Sequence, residues 1–361
     1  MTRSQASAVA LVVSTGVAAW LLSRVLGVTL LGFEKSPISP VSLAVLVGLA
    51  VARLWPGGAQ RAGPVTARFA TSVLQWGVAL LGLRLSLAAA SALTLQALPV
   101  VLSCLVVALV LVTGLGRLLR IPRALVTLIA VGTSICGISA IAATAPLIRA
   151  RAAEISYATA VITIFGLVAM FAYPWLVHAA LGAEVVRAGI FLGTAVHDTS
   201  QVVGAAMAYE QQYGAHGTLE AATVTKLLRN LAMVVVIPLL AYAYRSASPV
   251  SGPDDPPGRG DAPPRRFAAV PWFLYAFIAF CVLRTTVDAL PTAPDSAARA
   301  AWDSLLGAVV IASEWCFILA MSAIGLQTHL AGLRQIGPRP LALGLIAALC
   351  VGAISAAWLL L

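Results

Sequence analysis

A polar stretch flanked by glycine interrupts an apolar run that is otherwise long enough to cross a membrane. It reads Gly-Thr-Ser-Ile-Cys-Gly over residues 132–137, and a related stretch, Gly-Thr-Ala-Val-His-Asp-Thr-Ser, follows at residues 193–200. A membrane helix keeps its backbone hydrogen bonds internal, because hydrocarbon offers no partner for a freed N–H or C=O group. Paired broken helices at membrane depth are typical of solute sites in transporters. The pattern therefore favours a transporter.

The composition places the chain in a membrane. Of its 361 residues, 60% are hydrophobic and only 10% are charged, whereas a soluble domain carries about 25% charged residues. The sequence predicts an all-α polytopic membrane protein with about 11 membrane segments, each long enough to span the bilayer. The predicted segments are 8–31, 38–54, 69–90, 94–116, 123–150, 154–179, 187–210, 222–244, 269–287, 302–330 and 339–361.

One change in composition divides the chain without creating a second domain. We expect a membrane region over residues 1–244, containing both interrupted helices, and C-terminal membrane helices over residues 269–361. Residues 245–268 between them are rich in proline, glycine and charge, which predicts a flexible cytoplasmic linker. Both regions are expected to form one transport domain.

Basic residues mark the predicted cytoplasmic face. The net charge is +10, and all but two of the 23 basic residues are arginine. If every segment spans, one face collects Arg3, Arg53, Arg61, Arg68, Arg117, Arg120, Arg123, Arg245, Arg265, Arg266, Arg334 and Arg339. The positive-inside rule places this face in the cytoplasm with the N-terminus, so the charge reflects orientation in a bacterial inner membrane and does not indicate nucleic-acid binding.

Arg149 and Arg151 depart from this tally. They would be cytoplasmic if 123–150 were a re-entrant hairpin. A second hairpin at 187–210 would then return the following segments to the orientation that they have in the spanning version. The two interrupted segments would then be inverted copies, as in many transporters. The sequence leaves the spanning and re-entrant versions open, and both are compatible with inverted repeats.

The interruptions and the segment after them supply the predicted solute site. Asp198 followed by Gln201 has the spacing of a helix N-cap, and a helix that starts in mid-membrane presents N–H groups to an anion. Lys226 and Arg229 share a helix face. Lys226 either joins the site or extends to the interface, and Arg229 either pairs with Asp198 or binds an oxyanion. The candidate solute- or ion-binding residues are Thr133, Ser134, Cys136, Gly137, Ser139, His197, Asp198, Thr199, Gln201, Lys226 and Arg229.

Other charged residues receive separate interpretations. His197, Asp198 and Glu314 are candidates for coupling to a proton or Na⁺, since ionisable groups inside a membrane mark ion pathways. Arg84, near a segment end, is expected to be an interfacial anchor.

The five cysteines form no C-x-x-C pair, so no metal site is predicted. We expect no cofactor.

These motifs resemble those of the bacterial sulfate exporter family. The resemblance rests on residues 132–143, on Val-His-Asp-Thr-Ser-Gln-Val-Val at 196–203 and on Val-Thr-Lys-Leu-Leu-Arg at 224–229. It implies an inner-membrane protein related to bile-acid, arsenite and cation–proton transporters that are built from inverted repeats with crossed broken helices. It also implies a secondary exporter of a small anion such as sulfate or a sulfonate.

Alternatives remain at this stage. Intramembrane carboxylates would also suit a Na⁺/H⁺-type cation antiporter, and a channel would have a similar composition. An intramembrane enzyme using His197, Asp198 and Cys136 is not expected, because no nucleophile and base lie at close spacing. The expected partners are the bilayer, a small anionic solute, a proton or Na⁺, and a second copy in a homo-oligomer.

Reporter fusions test the predicted orientation. A fusion in the linker near Asp254 should report a cytoplasmic location, and a fusion at Leu361 should report the outside, because an odd number of crossings follows the cytoplasmic N-terminus. Fusions that report the same side would contradict this topology.

Overall fold

The computed structural model describes residues 3–26, 40–233, 235–236, 239–240, 242, 272–290, 297–327 and 337–360. The predicted linker at 245–268 lies outside these residues. Within them the protein is helical and contains no strand. The predicted all-α architecture is therefore confirmed.

Thirteen α-helices follow one another in the described residues. They are α1 (Arg3–Arg24), α2 (Pro40–Leu54), α3 (Pro56–Leu81), α4 (Leu87–Leu118), α5 (Arg123–Ser134), α6 (Ile138–Thr144), α7 (Ala152–Leu181), α8 (Val185–Ala195), α9 (Thr199–Tyr213), α10 (Thr218–Leu231), α11 (Trp272–Ala289), α12 (Ala297–Gln327) and α13 (Pro338–Leu360). Six of them, namely α1, α4, α7, α11, α12 and α13, are long and apolar enough to cross a membrane. With α5 joined to α6 and α8 to α9, the helices correspond one to one with the predicted segments.

The third segment differs most from its prediction. It was expected over 69–90, but α3 begins at Pro56 and ends at Leu81, and a 3₁₀ turn follows at Gly82–Arg84. Ser86 then starts α4, because its Oγ accepts a hydrogen bond from the backbone N–H of Ala89 at 3.2 Å. Apolar residues on both sides of this turn hid it, and the serine cap is the local signal that marks it.

The outer surface carries the apolar side chains expected to face lipid. On α4, Leu98, Leu102, Val106 and Val110 are all exposed. Residues four apart lie on one side of a helix, so they form a continuous apolar stripe. A stripe of this kind is costly in water and favourable in hydrocarbon.

The helices pack as two bundles. The first bundle comprises α1, α2, α3, α11 and α12, and the second comprises α4–α10 with α13. Among the described residues the bundles meet mainly where α9 contacts α2 and α12 and where α11 contacts α4. Both interrupted helices belong to the second bundle.

Two glycines allow the closest crossing in the first bundle. A Cβ placed on Gly325 of α12 would lie 2.3 Å from the carbonyl oxygen of Val45 on α2, and one on Gly48 would lie 2.6 Å from the carbonyl oxygen of Ser322. Small residues of this kind let membrane helices approach backbone to backbone. The crossing has no room for any side chain.

The variant Gly325→Val should therefore separate α2 from α12 and lower the midpoint of thermal unfolding in detergent. Overpacking a tight contact costs about 1–3 kcal/mol. Gly307→Val on the same helix is the matched control, because nothing lies within 4 Å of a Cβ at Gly307. Equal midpoints for the two variants would show that this crossing is not tightly packed.

Candidate solute site at two helix breaks

The first break separates α5 from α6. Helix α5 ends at Ser134, and α6 begins at Ile138 after Gly137, whose φ is +73°. Glycine is the residue that adopts such a conformation without strain. The predicted interruption at 132–137 is confirmed.

The second break separates α8 from α9 and contains the predicted N-cap. Asp198 Oδ2 accepts a hydrogen bond from the backbone N–H of Ser200 at 3.0 Å. Gln201 Oε1 in turn accepts the backbone N–H of Asp198 at 3.1 Å. These reciprocal bonds form a capping box, as the spacing predicted.

Contacts with α7 place both breaks near the middle of a membrane-length helix. Gly132 at the first break lies against Ile162, since an added Cβ would be 2.8 Å from its side chain. At the second break, Gln201 Nε2 donates to the carbonyl oxygen of Thr163 at 3.2 Å. Residues 162 and 163 lie more than two turns from either end of α7, and residues 132–137 and 193–197 are buried.

The breaks also face each other, as predicted. A Cβ on Gly137 would lie 3.0 Å from Asp198 Oδ1. The absence of a side chain at Gly137 therefore leaves space for the Asp198 carboxylate. Both breaks belong to one site.

Arg229 of α10 bonds the open C-terminal ends of α5 and α8. In α5, the carbonyls of Val131 and Gly132 accept later N–H groups of their own chain segment, whereas those of Thr133 and Ser134 do not. The guanidinium donates to both of these carbonyls, at 2.6 Å and 3.3 Å. It also donates to carbonyl oxygens of the second break, those of Gly193 at 3.4 Å, Val196 at 3.4 Å and Thr194.

Lys226, which precedes Arg229 by about a turn on α10, bonds carbonyls of the same two breaks. Its ammonium donates to the carbonyl oxygens of Ile135 and Val196, each at 3.2 Å, and to that of His197. An ammonium has three N–H donors, so its hydrogen bonds are fully used. The cations also meet the negative ends of two helix dipoles.

The structure excludes one of the two alternatives for each cation. Lys226 does not extend to the interface, because it is fully buried. Arg229 does not pair with Asp198, because its N–H groups donate to backbone carbonyls; the alternative that it binds an oxyanion stays a prediction. The carbonyls freed by the two breaks determine both positions.

Close packing of α8 on α10 brings the cations within reach. A Cβ on Gly193 would lie 2.7 Å from the carbonyl oxygen of Ala222, and one on Gly189 would lie 2.4 Å from the Ala221 Cβ. The glycines are four residues apart and share one face, as in other small-residue contacts between membrane helices. The sequence analysis missed Gly189, although this spacing would have revealed it.

Two buried polar groups at the site have no partner among the described residues. Both ring nitrogens of His197 and Oγ1 of Thr133 lack a hydrogen bond, and both residues are 1% exposed. The His197 ring lies within electrostatic range of Lys226 and Arg229. Buried polar groups normally find a partner, so these atoms are candidates for contact with a ligand.

The remaining predicted residues have more local positions. Ser134 Oγ donates back to the carbonyl oxygen of Ala130 at 2.6 Å. Cys136 Sγ lies 3.5 Å from Met233 Sδ. Thr199 begins α9 and is half-buried, and Ser139 of α6 is exposed.

Glu314 lies apart from the breaks. It is on α12 of the first bundle and interacts electrostatically with Glu210. Arg84 also departs from its prediction as an interfacial anchor, because its Nε contacts Glu220 Oε1 at 2.5 Å. Both residues belong to a separate cluster that the sequence analysis missed.

Neither a metal centre in the described residues nor the cavity beside α7 offers a better site for a polar solute. No group of three His, Cys, Asp or Glu side chains there is arranged to hold a metal ion. A cavity of about 270 Å³ between α7, α8 and α13 is lined by apolar groups such as Leu176, Phe191 and Leu349. The breaks remain the better candidate for a polar solute.

Replacing Arg229 should destabilise the protein through its backbone partners. Arg229→Met leaves several buried carbonyls without donors, each worth about 1–3 kcal/mol, so the midpoint of thermal unfolding in detergent should fall strongly. Arg229→Lys should have a smaller effect because it retains the charge. The matched control is Arg187→Met, which removes an exposed guanidinium bonded to one carbonyl, that of Leu359. Equal losses in Arg229→Met and Arg187→Met would show that Arg229 does not hold the breaks.

Comparison with known proteins gives a family without a defined activity. The family described as conserved hypothetical protein 698 matches residues 8–344. A UPF0324 membrane protein of Streptococcus pyogenes serotype M18 is 31% identical over 94% of this chain and 92% of its own. One from Bordetella bronchiseptica is 33% identical over 77% and 79% of the two chains, and one from Ralstonia nicotianae is 31% identical over 88% and 82%. No solved structure matches. The chain belongs to the conserved hypothetical protein 698 family of bacterial membrane proteins.

Proposed function

We propose that this protein is a secondary transporter that exports a small anion, such as sulfate or a sulfonate, across the bacterial inner membrane in a proton-coupled manner. The observation that carries the proposal is the charge of the site. Lys226 and Arg229 are buried at mid-membrane, and Asp198 is the carboxylate that interacts electrostatically with Lys226. Two cations and one carboxylate leave a net charge of about +1, which is costly in a membrane interior. A bound anion would compensate it.

The anion would contact the groups that lack partners. Lys226 and Arg229 already donate to carbonyls, so they would act mainly by charge, which is strong in a site of low dielectric constant. An N–H of His197 and the hydroxyl of Thr133 remain as donors, and both are buried without partners. This division of roles favours an oxyanion that accepts a few hydrogen bonds.

Asp198 is better suited to holding the site than to carrying the coupling proton. Its Oδ2 accepts from the N–H of Ser200 and, at 2.5 Å, from the Ser200 hydroxyl. These bonds make the carboxylate part of the cap of α9. His197 remains the candidate for a proton within the site.

A cation antiporter is the second candidate, and Asp198 Oδ1 is the observation that favours it. This oxygen faces Gly137 and accepts no hydrogen bond from the described residues, so it could coordinate Na⁺. An intramembrane enzyme has less support, because Cys136 contacts Met233 and not His197. We propose, as part of the same transporter, that the two broken segments are related as inverted repeats.

A flux screen in proteoliposomes tests the proposal. Labelled sulfate, sulfite and taurine are each measured with and without an imposed proton gradient, beside Na⁺ flux. We expect one of the anions to move, with the proton gradient accelerating it. Na⁺ flux without anion flux would contradict the proposal and favour the antiporter.

Substitutions in the site sharpen this screen. Lys226→Gln removes one of the two cations, so the KM for the transported anion should rise by at least about tenfold, or 1.4 kcal/mol. His197→Ala removes a ring donor and should also raise the KM, whereas His197→Gln keeps a donor and should raise the KM less. Asp303→Asn, at an exposed carboxylate near the start of α12, is the control. Wild-type KM values in Lys226→Gln and His197→Ala would refute the assignment of the site.

A further inference from the structure

A second charged cluster lies where the two bundles meet. Arg84, in the turn after α3, contacts Glu220 of α10 at 2.5 Å, with their side chains 17% and 7% exposed. The turn is fixed to the first bundle, since a Cβ on Gly82 would lie 2.3 Å from the Phe277 carbonyl oxygen on α11. The Arg84–Glu220 pair therefore joins the first bundle to the helix that carries Lys226 and Arg229.

Two further carboxylates approach this pair. Glu210 of α9 is buried, and its Oε1 accepts the backbone N–H groups of Gly217 at 2.7 Å and Leu219 at 3.0 Å. It is attracted by Arg84 and repelled by Glu314 of α12. The exposed His216 interacts with Glu220 from the α9–α10 loop. We call Arg84, Glu210, Glu220 and Glu314 the interbundle cluster.

The interbundle cluster has too much negative charge for its burial. Its two buried carboxylates, Glu210 and Glu220, are offset by one guanidinium and, at the surface, by His216. Carboxylates that share a buried site cannot all ionise cheaply, so one of them binds a proton more tightly. The four side chains come from different elements, so folding alone brings them together.

An independent observation points to the atom involved. Glu220 Oε2 is buried and has no hydrogen-bond partner among the described residues, although Oε1 contacts Arg84. Burying a charged oxygen without a hydrogen-bond partner is costly in free energy. One turn further along α10, the Thr223 hydroxyl is also buried without a partner. It lies between Glu220 and Lys226 on the same side of the helix.

We infer that the interbundle cluster is a proton-binding site, with the proton held on Glu220 and stabilised by the neighbouring Glu210 and Glu314. A proton fits better than a metal ion, because no three acidic, His or Cys side chains in the described residues are placed to coordinate one. Binding converts the Glu220 carboxylate into a carboxylic acid, and release returns the negative charge to the contact between the bundles. The proton therefore changes the force between the first bundle and α10.

Its role in transport rests on the proposed function. Glu220 and Lys226 are six residues apart on α10, which is about 9 Å along the axis. Any movement of α10 relative to the first bundle displaces both. Proton binding at Glu220 can thereby be coupled to the opening of the buried solute site without direct contact.

Infrared difference spectroscopy tests proton binding without any solute. Full-length protein in lipid is titrated with acid, and the C=O stretching band of a buried protonated carboxyl group is followed. The band should appear in the wild type and in Asp303→Asn, and Glu220→Gln should lose it. No band in the wild type, or an unchanged band in Glu220→Gln, overturns the inference.

Arg84→Gln provides a test that keeps all the carboxylates. Removing the cation should raise the pH at which the band reaches half its full intensity by about one unit or more, a tenfold gain in proton affinity. An unchanged midpoint contradicts the inference. Because these spectra need no anion, they remain decisive even if the flux screen excludes anion transport.

The coupling itself is read from flux. If the solute site is correct, Glu220→Gln should still transport the anion, but the acceleration of its flux by a proton gradient should fall at least about tenfold. Lys226→Gln should instead raise the KM for the anion and keep that acceleration. A full gradient response in Glu220→Gln would refute coupling through this cluster.

Discussion

The structure depends on how backbone carbonyls are satisfied in the middle of a membrane. Breaking α5 and α8 leaves carbonyl groups that no later turn of helix can bond, and hydrocarbon offers no substitute. Arg229 and Lys226 supply the missing donors from a third helix. The position of α10, the close packing of α8 on it and the meeting of the two breaks all follow from this requirement.

The same interaction supports the proposal that the site binds a solute. Charges that hold carbonyls are fixed in place, so they cannot rearrange to neutralise one another. Asp198 is the carboxylate that interacts with Lys226, and the two cations together are expected to give a positive potential around His197 and Thr133. In the proposed function, the cations that satisfy the carbonyls of the broken helices also provide the electrostatic attraction for an anion. The His197 ring, buried without a partner among the described residues, lies at its centre.

Local features could be predicted from the sequence, and contacts between distant segments could not. The breaks at Gly132–Gly137 and Ala195–Ser200 and the Asp198–Gln201 capping box depend on neighbouring residues, and all are confirmed. The partners of Arg229 are carbonyls, which every residue has, so no residue type could indicate them. The Arg84–Glu220 contact joins distant regions of the chain, and the turn after α3 was hidden within a long apolar stretch.

The most direct measurement is an experimental structure in a lipid nanodisc, determined with and without selenate as an electron-dense analogue of sulfate. The account predicts selenate density within hydrogen-bond distance of the His197 ring and beside Thr133, with Arg229 still bonded to the carbonyls of both breaks. It is contradicted if that position holds no selenate at saturating concentration, or if α5–α6 and α8–α9 are unbroken helices and the guanidinium has other partners.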